Sequence, residues 1–161
     1  MGGLALWFSA KPVSAAPTPI WLDLQRNKQR LRVNIAEQSG VNAAAWLLRD
    51  IRANNTVGRP DWQLLVRMAA LQELIAQHHR YCVFDITSGL RTHGTNALTE
   101  GAAHHSNHLP DAHNRFCAVD FKPLGLPLDT LHSLANRLPN VGLGLYDSHV
   151  HLDHRLRPAR W

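Results

Sequence analysis

His149, His151 and Asp153 occupy alternate positions in Ser148-His149-Val150-His151-Leu152-Asp153. Side chains alternate across a β-strand, so these three would share one face while Val150 and Leu152 enter a core behind it. Two imidazoles on one face, opposite an apolar one, point to a site rather than to packing. A second strand-like run, Cys117-Ala118-Val119-Asp120-Phe121, sets Asp120 opposite Cys117, Val119 and Phe121. A carboxylate on a buried element needs an ion-pair partner or a metal, and this strand by itself admits both. His108, in Ser106-Asn107-His108, precedes it. Two His and one Asp, with water as the fourth ligand, compose an open tetrahedral Zn2+ site of the catalytic type. Such a metal lowers the pKa of its water to about 7 and polarises a carbonyl. Hydrolysis also needs a base and a group that stabilises the oxyanion. His149, two residues from His151, is placed for either role. Arg91, in Thr87-Ser88-Gly89-Leu90-Arg91-Thr92, can bind an oxyanion or a substrate carboxylate.

The elements that must position these residues follow from periodicity. Trp21-Leu22-Asp23-Leu24 and Leu31-Arg32-Val33-Asn34-Ile35 alternate about the polar turn Arg26-Asn27-Lys28-Gln29, which predicts a β-hairpin. Ala44, Leu47, Leu48 and Ile51 make one face of a helix. A second helix starts at Asp61, an N-cap after Pro60, with a core stripe of Leu64, Met68, Leu71 and Ile75. Cys82 to Thr87 reads as a buried strand, Asn96 to Ala102 as a short helix and His104 to Arg115 as loop. Cys117 to Lys122 is a strand. Leu128, Leu131, Ala135 and Leu138 mark a further helix with Pro127 at its first turn. Gly142 to Tyr146 and Ser148 to Asp153 close the fold as two strands. The sum is a small α+β domain: an N-terminal hairpin and helices, then a mainly antiparallel sheet carrying the site.

Composition sets the frame. The 161 residues suit one domain, expected over 20–161 after a leader or flexible arm at 1–19. Leu4 to Ala10 is short and apolar, and Val13-Ser14-Ala15 resembles a small-residue cleavage site, yet no Lys or Arg precedes the apolar run. Export to the periplasm or medium is the expectation. No stretch is long enough to span a bilayer. The net charge of +5 fits an anionic partner or a solvated surface. Eleven histidines, all but His78 and His79 lying between His93 and His154, enrich one half of the chain in metal-binding side chains. Cys82 and Cys117 form no C-x-x-C pair and are expected as free, packed thiols unless an oxidising compartment bridges them.

With these residues in view, the sequence resembles the M15-type zinc D-Ala-D-Ala carboxypeptidases and murein endopeptidases. The matching pieces are Ser88-Gly89-Leu90-Arg91-Thr92, Thr95-Asn96-Ala97-Leu98, Gly101-Ala102-Ala103, Ser106-Asn107-His108-Leu109 and Ala118-Val119-Asp120. Gly142-Leu143-Gly144-Leu145-Tyr146, His149-Val150-His151-Leu152-Asp153 and a basic segment closing on Trp161 complete them. The resemblance implies Zn2+ held by His108, Asp120 and His151. It makes His149 the catalytic partner, Arg91 the substrate-stabilising cation and Ser106 a substrate-side residue. It also implies peptidoglycan peptides as substrate, with endopeptidase action favoured over D-Ala-D-Ala carboxypeptidase action.

Two departures stand out. Leu109 to Val119 separate His108 from Asp120, more than the family pattern has, and Phe116 stands where the family places a Gly. A loop inserted around Pro110-Asp111-Ala112-His113-Asn114 accounts for this and bears on substrate preference; His113 would be a competing ligand there. Ser148 occupies the position where some relatives carry a Glu base, so that burden falls on His149, oriented by Asp147 or Asp153. Two rivals remain. A metal-dependent nuclease would use His104-His105-Ser106-Asn107-His108 with His113-Asn114 but leaves the His149/His151 strand unexplained, so no nucleic-acid partner is expected. A non-catalytic zinc module would keep the fold without hydrolysis. Neither the bond cut nor the oligomeric state follows from the sequence.

Overall fold

The computed structural model describes residues 18–161. The predicted leader therefore lies outside the described residues, except for Thr18 and Pro19. No helix among the described residues is long and apolar enough to cross a membrane.

The chain opens on the predicted hairpin, β1 (Trp21–Arg26) with β2 (Gln29–Asn34). Its two-residue turn uses Asn27 and Lys28 at φ 50° and 66°. Positive φ at both positions matches the natural twist of the strands. Helix α1 (Gln38–Leu47) stops at Leu47, so Ile51, expected on its face, lies in a following turn and is exposed. Strand β3 is the short Arg59–Pro60. Helix α2 (Trp62–His78) begins as predicted: the Asp61 carboxylate accepts from the backbone N–H groups of Gln63 and Leu64. Leu64, Met68, Leu71 and Ile75 are all fully buried.

Strand β4 (Val83–Ser88) follows, then α3 (His93–Ala97), β5 (Arg115–Phe116) and β6 (Ala118–Leu124). The short helix starts earlier than Asn96, because the Thr92 hydroxyl caps it by accepting from Thr95 N–H. Helix α4 (Leu128–Ala135), β7 (Val141–Leu145), β8 (Val150–His154) and β9 (Ala159–Arg160) complete the chain.

Seven strands form one sheet in the order β2-β1-β4-β6-β8-β7-β9. Within this sheet only β1–β4 and β7–β9 pair in parallel, so the mainly antiparallel α+β architecture is as expected. The hairpin is not a separate element: β1 joins the central sheet beside β4. Helices α1, α2 and α4 pack on this sheet. Leu22, Leu24, Phe84, Val119, Phe121, Val150 and Leu152 supply its side of the core. The residues alternating with them on the central strands, including Asp120, His151 and Asp153, face away from that core. Cys82 and Cys117 are both free, and burial pushes each thiol up to about 11.

Candidate metal centre

The central register aligns the site. Asp120 on β6 stands opposite His151 on β8, which stands opposite Gly144 on β7. On the other side Ser88 pairs with Asp120, after a register shift between Ile86 and Ser88. Such a bulge re-aims the strand end, and here it delivers the segment carrying Arg91 to the site.

His108 comes from the loop. Ser106 turns the chain: its hydroxyl accepts from His108 N–H and its carbonyl from Leu109 N–H. His108 O then accepts from Arg91 N–H at 2.9 Å, fastening the two loop segments together. Gly89 meets the imidazole from the other side, its carbonyl 2.6 Å from His108 Nδ1. A Cβ at Gly89 would run into the carbonyl of Leu48, so only glycine lets this segment lie against Leu48.

Three ligand-type atoms converge. His108 Nε2 lies 3.2 Å from Asp120 Oδ1 and 3.3 Å from His151 Nδ1, and the last two are 2.8 Å apart. Ligand bonds of 2.0–2.1 Å in a tetrahedral zinc site set edges of about 3.3 Å between donors; the two edges from His108 match this, and the Asp120–His151 edge is shorter. The donor chemistry fits as well. His108 Nδ1 is tied to Gly89 O, which leaves the Nε2 lone pair for the cluster. His151 Nε2 is 3.0 Å from Asp153 Oδ2, which leaves Nδ1 for the cluster. All three residues are buried, and they form a group able to hold a metal ion. His113, a possible competitor, is exposed on its loop and takes no part.

Electrostatics follow from burial and partners. Desolvation would raise the Asp120 carboxyl, but hydrogen bonds and charge from His108 and His151 outweigh it and hold the group well below the carboxylate range. Desolvation pulls His108 below the ordinary imidazole value and keeps it neutral. His151 goes the other way, because Asp120 and Asp153 overcome its burial. The ion-pair reading of Asp120 holds for Oδ2, which pairs with Arg91 Nη2, while Oδ1 faces the two histidines. Arg91 Nε donates to Ser88 Oγ at 3.0 Å.

Asp153 is the most heavily engaged residue behind the triangle. It accepts from Arg155 through Nε and Nη2, and from Gly142 N–H. Asp153 is thus committed to His151, not to His149. His149 sits just before β8, its Nδ1 3.0 Å from Ser148 Oγ and its ring stacked on Tyr146 at 4.6 Å. Those two residues, rather than Asp147 or Asp153, orient it. Its Nε2 is 4.0 Å from Asp120 Oδ1, and desolvation lowers its pKa.

A cavity of about 530 Å³ opens over the cluster, with Arg91, Glu100, Ser106, Tyr146, His149 and Trp161 in its walls. Tyr146, Arg155 and Trp161 line the cavity without a role of their own predicted from the sequence. Trp161 lies on Gly144, 5.3 Å from the His151 ring, and donates from Nε1 to the Tyr146 hydroxyl. The glycines of Gly142-Leu143-Gly144 were the available signal: small residues on the site face of a strand leave room for a neighbour.

The connection between His108 and Asp120, expected as loop, contains the short strand β5. Asp111 accepts from His113 N–H and Arg115 N–H and pairs with the Arg115 side chain. Strand β5 then pairs with β3, and Phe116 is 1% exposed. The two strands make a second small sheet, with Phe116 buried in the core.

No solved structure matches the chain. The chain is 28% identical over 171 residues to a protein of Haemophilus influenzae described as a probable peptidoglycan L,D-endopeptidase MepK, with 95% of this chain and 88% of that protein covered. The profile of the Peptidase M15 family matches residues 25–153, a span that holds β4, β6, most of β8 and every residue of the His108–Asp120–His151 triangle, and the chain belongs to that family.

Proposed function

We propose that this chain is a zinc-dependent peptidoglycan endopeptidase acting outside the cytoplasm. The carrying observation is the triangle of His108 Nε2, Asp120 Oδ1 and His151 Nδ1 in the floor of an open cavity. Membership of a peptidase family and likeness to a probable peptidoglycan L,D-endopeptidase support the substrate class.

In this reading His108, Asp120 and His151 hold the zinc ion. Bound there, the ion supplies Lewis acidity that activates water and polarises the scissile carbonyl. His149 handles the proton. With Nδ1–H donating to Ser148 Oγ, Nε2 keeps its lone pair at the cavity, and burial holds the ring neutral. Nε2 takes a proton from the attacking water and returns it to the departing amine. Arg91 is anchored by Asp120 and Ser88 and presents its remaining N–H groups to the cavity, where they stabilise the oxyanion. Ser106 holds His108 through its backbone and lines the cavity on the substrate side.

The test is purified protein on isolated peptidoglycan, with and without chelator, read by mass spectrometry of released muropeptides. The expected result is loss of cross-linked dimers that chelator blocks and zinc restores. Release of terminal D-Ala alone would replace the endopeptidase reading by a carboxypeptidase one. One zinc per chain with no change in any muropeptide would make the protein a binding module.

A further inference from the structure

Arg26 is a buried guanidinium without a carboxylate partner. It is 6% exposed at the end of β1. Its Nη1 donates to Leu47 O at 2.9 Å and to Arg49 O at 2.5 Å, where it closes the C-terminal turn of α1. The arginine–carboxylate pairs among the described residues are those of Arg32, Arg91, Arg115 and Arg155; none includes Arg26. Carbonyl dipoles at the end of a helix offset part of its charge. Burial and the nearby Arg49 and Arg52 press its pKa below the usual value, against the opposing pull of the Asp50 charge.

Arg26 lines a cavity of about 310 Å³ together with Arg52 and Arg91. The acidic residue in that lining is Asp50, whose Oδ2 is taken by Thr92 N–H and Oδ1 by Arg52 N–H. Arg91 is already paired with Asp120. Arg26 and Arg52 thus leave the chamber with a net positive charge. Arg91, Thr99 and His149 line both this chamber and the larger cavity over the triangle, so the two adjoin at the residue assigned the proton transfer.

We infer that this chamber is a second subsite, which receives a free carboxylate of the peptide substrate on the His149 side of the metal centre. A buried cation that lacks an ionic partner is stabilised by an anion brought to it, and guanidinium groups bind carboxylates in paired hydrogen bonds. This inference rests on the endopeptidase reading for the identity of the ligand. The stem peptides of peptidoglycan carry free carboxylates beside their cross-links, and such a group held here would fix which part of the stem faces the metal.

The probe is an uncross-linked stem tetrapeptide, as the free acid and with its carboxylates amidated, titrated calorimetrically into the zinc-loaded protein. We expect the free acid to bind about tenfold more tightly, in the range for a charge-assisted pair. Arg52→Gln and Arg26→Met should each bring that ratio towards one with an unchanged far-UV spectrum. Equal binding of the two peptides, binding of neither, or a ratio that survives Arg52→Gln would overturn the subsite. Should Arg26→Met fail to fold, the wild-type ratio and Arg52→Gln still decide. Cleavage of cross-linked dimers is followed in parallel: its absence with the binding ratio intact removes the endopeptidase reading and leaves the anion subsite standing.

Discussion

Trp161 rests directly on Gly144, so closely that a Cβ on the glycine would sit 2.5 Å from the indole Nε1. That nitrogen donates to the Tyr146 hydroxyl, and Tyr146 in turn stacks on His149. A backbone position on β7 thereby sets one wall of the cavity. Gly144→Ala should displace the indole, cost about 1–3 kcal/mol through overpacking, and lower turnover. Thermal unfolding of the single and double variants checks the cause. In a Trp161→Ala background the cost of Gly144→Ala should fall, since the two closest clashing atoms are gone and the Tyr146 ring, at 3.0 Å, remains.

The triangle predicts linked loss of metal and activity. Asp120→Ala removes one donor and also strips Arg91 of its buried partner; His151→Ala removes a donor alone. Both should abolish bound zinc, measured by elemental analysis, along with peptidoglycan cleavage. Chelation of the wild type should lower Tm, because an ion bound only by the native state stabilises it. Retention of stoichiometric zinc in His151→Ala would remove that residue from the donor set.

Asp153 offers a finer test, because it touches only His151 among the three. Its carboxylate fixes the imidazole from behind while Arg155 and Gly142 N–H fix the carboxylate. Asp153→Asn should weaken zinc binding by about ten- to a hundredfold, the usual cost of losing such a supporting partner. Competition with a chromogenic chelator measures this directly. An unchanged affinity would mean that packing alone orients His151.

His149 is close to the triangle without being needed to complete it, its Nε2 being 4.0 Å from Asp120 Oδ1. His149→Ala should keep zinc and lose turnover by about two to four orders of magnitude, the range for a positioned acid–base group. Full turnover in a zinc-replete variant would reassign the proton transfer.

Much of this site was legible because its parts obey local rules. Alternation put His151 and Asp153 on one face and Asp120 on the face away from Val119 and Phe121, and the strands bear that out. The Asp61 cap and the stripe of α2 were equally local. What the sequence withheld depends on distant partners. Ile51 continues the α1 pattern, yet the helix ends at Leu47 where the remote Arg26 side chain takes the Leu47 carbonyl. Asp153 and His149 share a parity, but Arg155 and His151 claim the carboxylate, leaving His149 to Ser148 and Tyr146. Strand β9 has too few residues for any periodicity, so the placement of Trp161 over Gly144 emerges only from the pairing with β7.

Asp50 carries a pH signature independent of the metal. It is 2% exposed, and burial alone would raise its pKa; hydrogen bonds from Thr92, Thr95 and Arg52 reverse this and hold the pKa below the ordinary value. A carboxyl depressed in the folded state contributes stability that is complete above its unfolded pKa, about 4. That contribution is lost as pH falls through the lower folded value. Asp50→Ala leaves Thr92 N–H without its acceptor and should cost about 1–3 kcal/mol at neutral pH. The gap from wild type should stay constant down to about pH 4 and narrow below it. Denaturant titrations at a series of pH values give this directly. A gap that widens on acidification would show that Asp50 is protonated in the native state and that its hydrogen bonds do not favour the charged form.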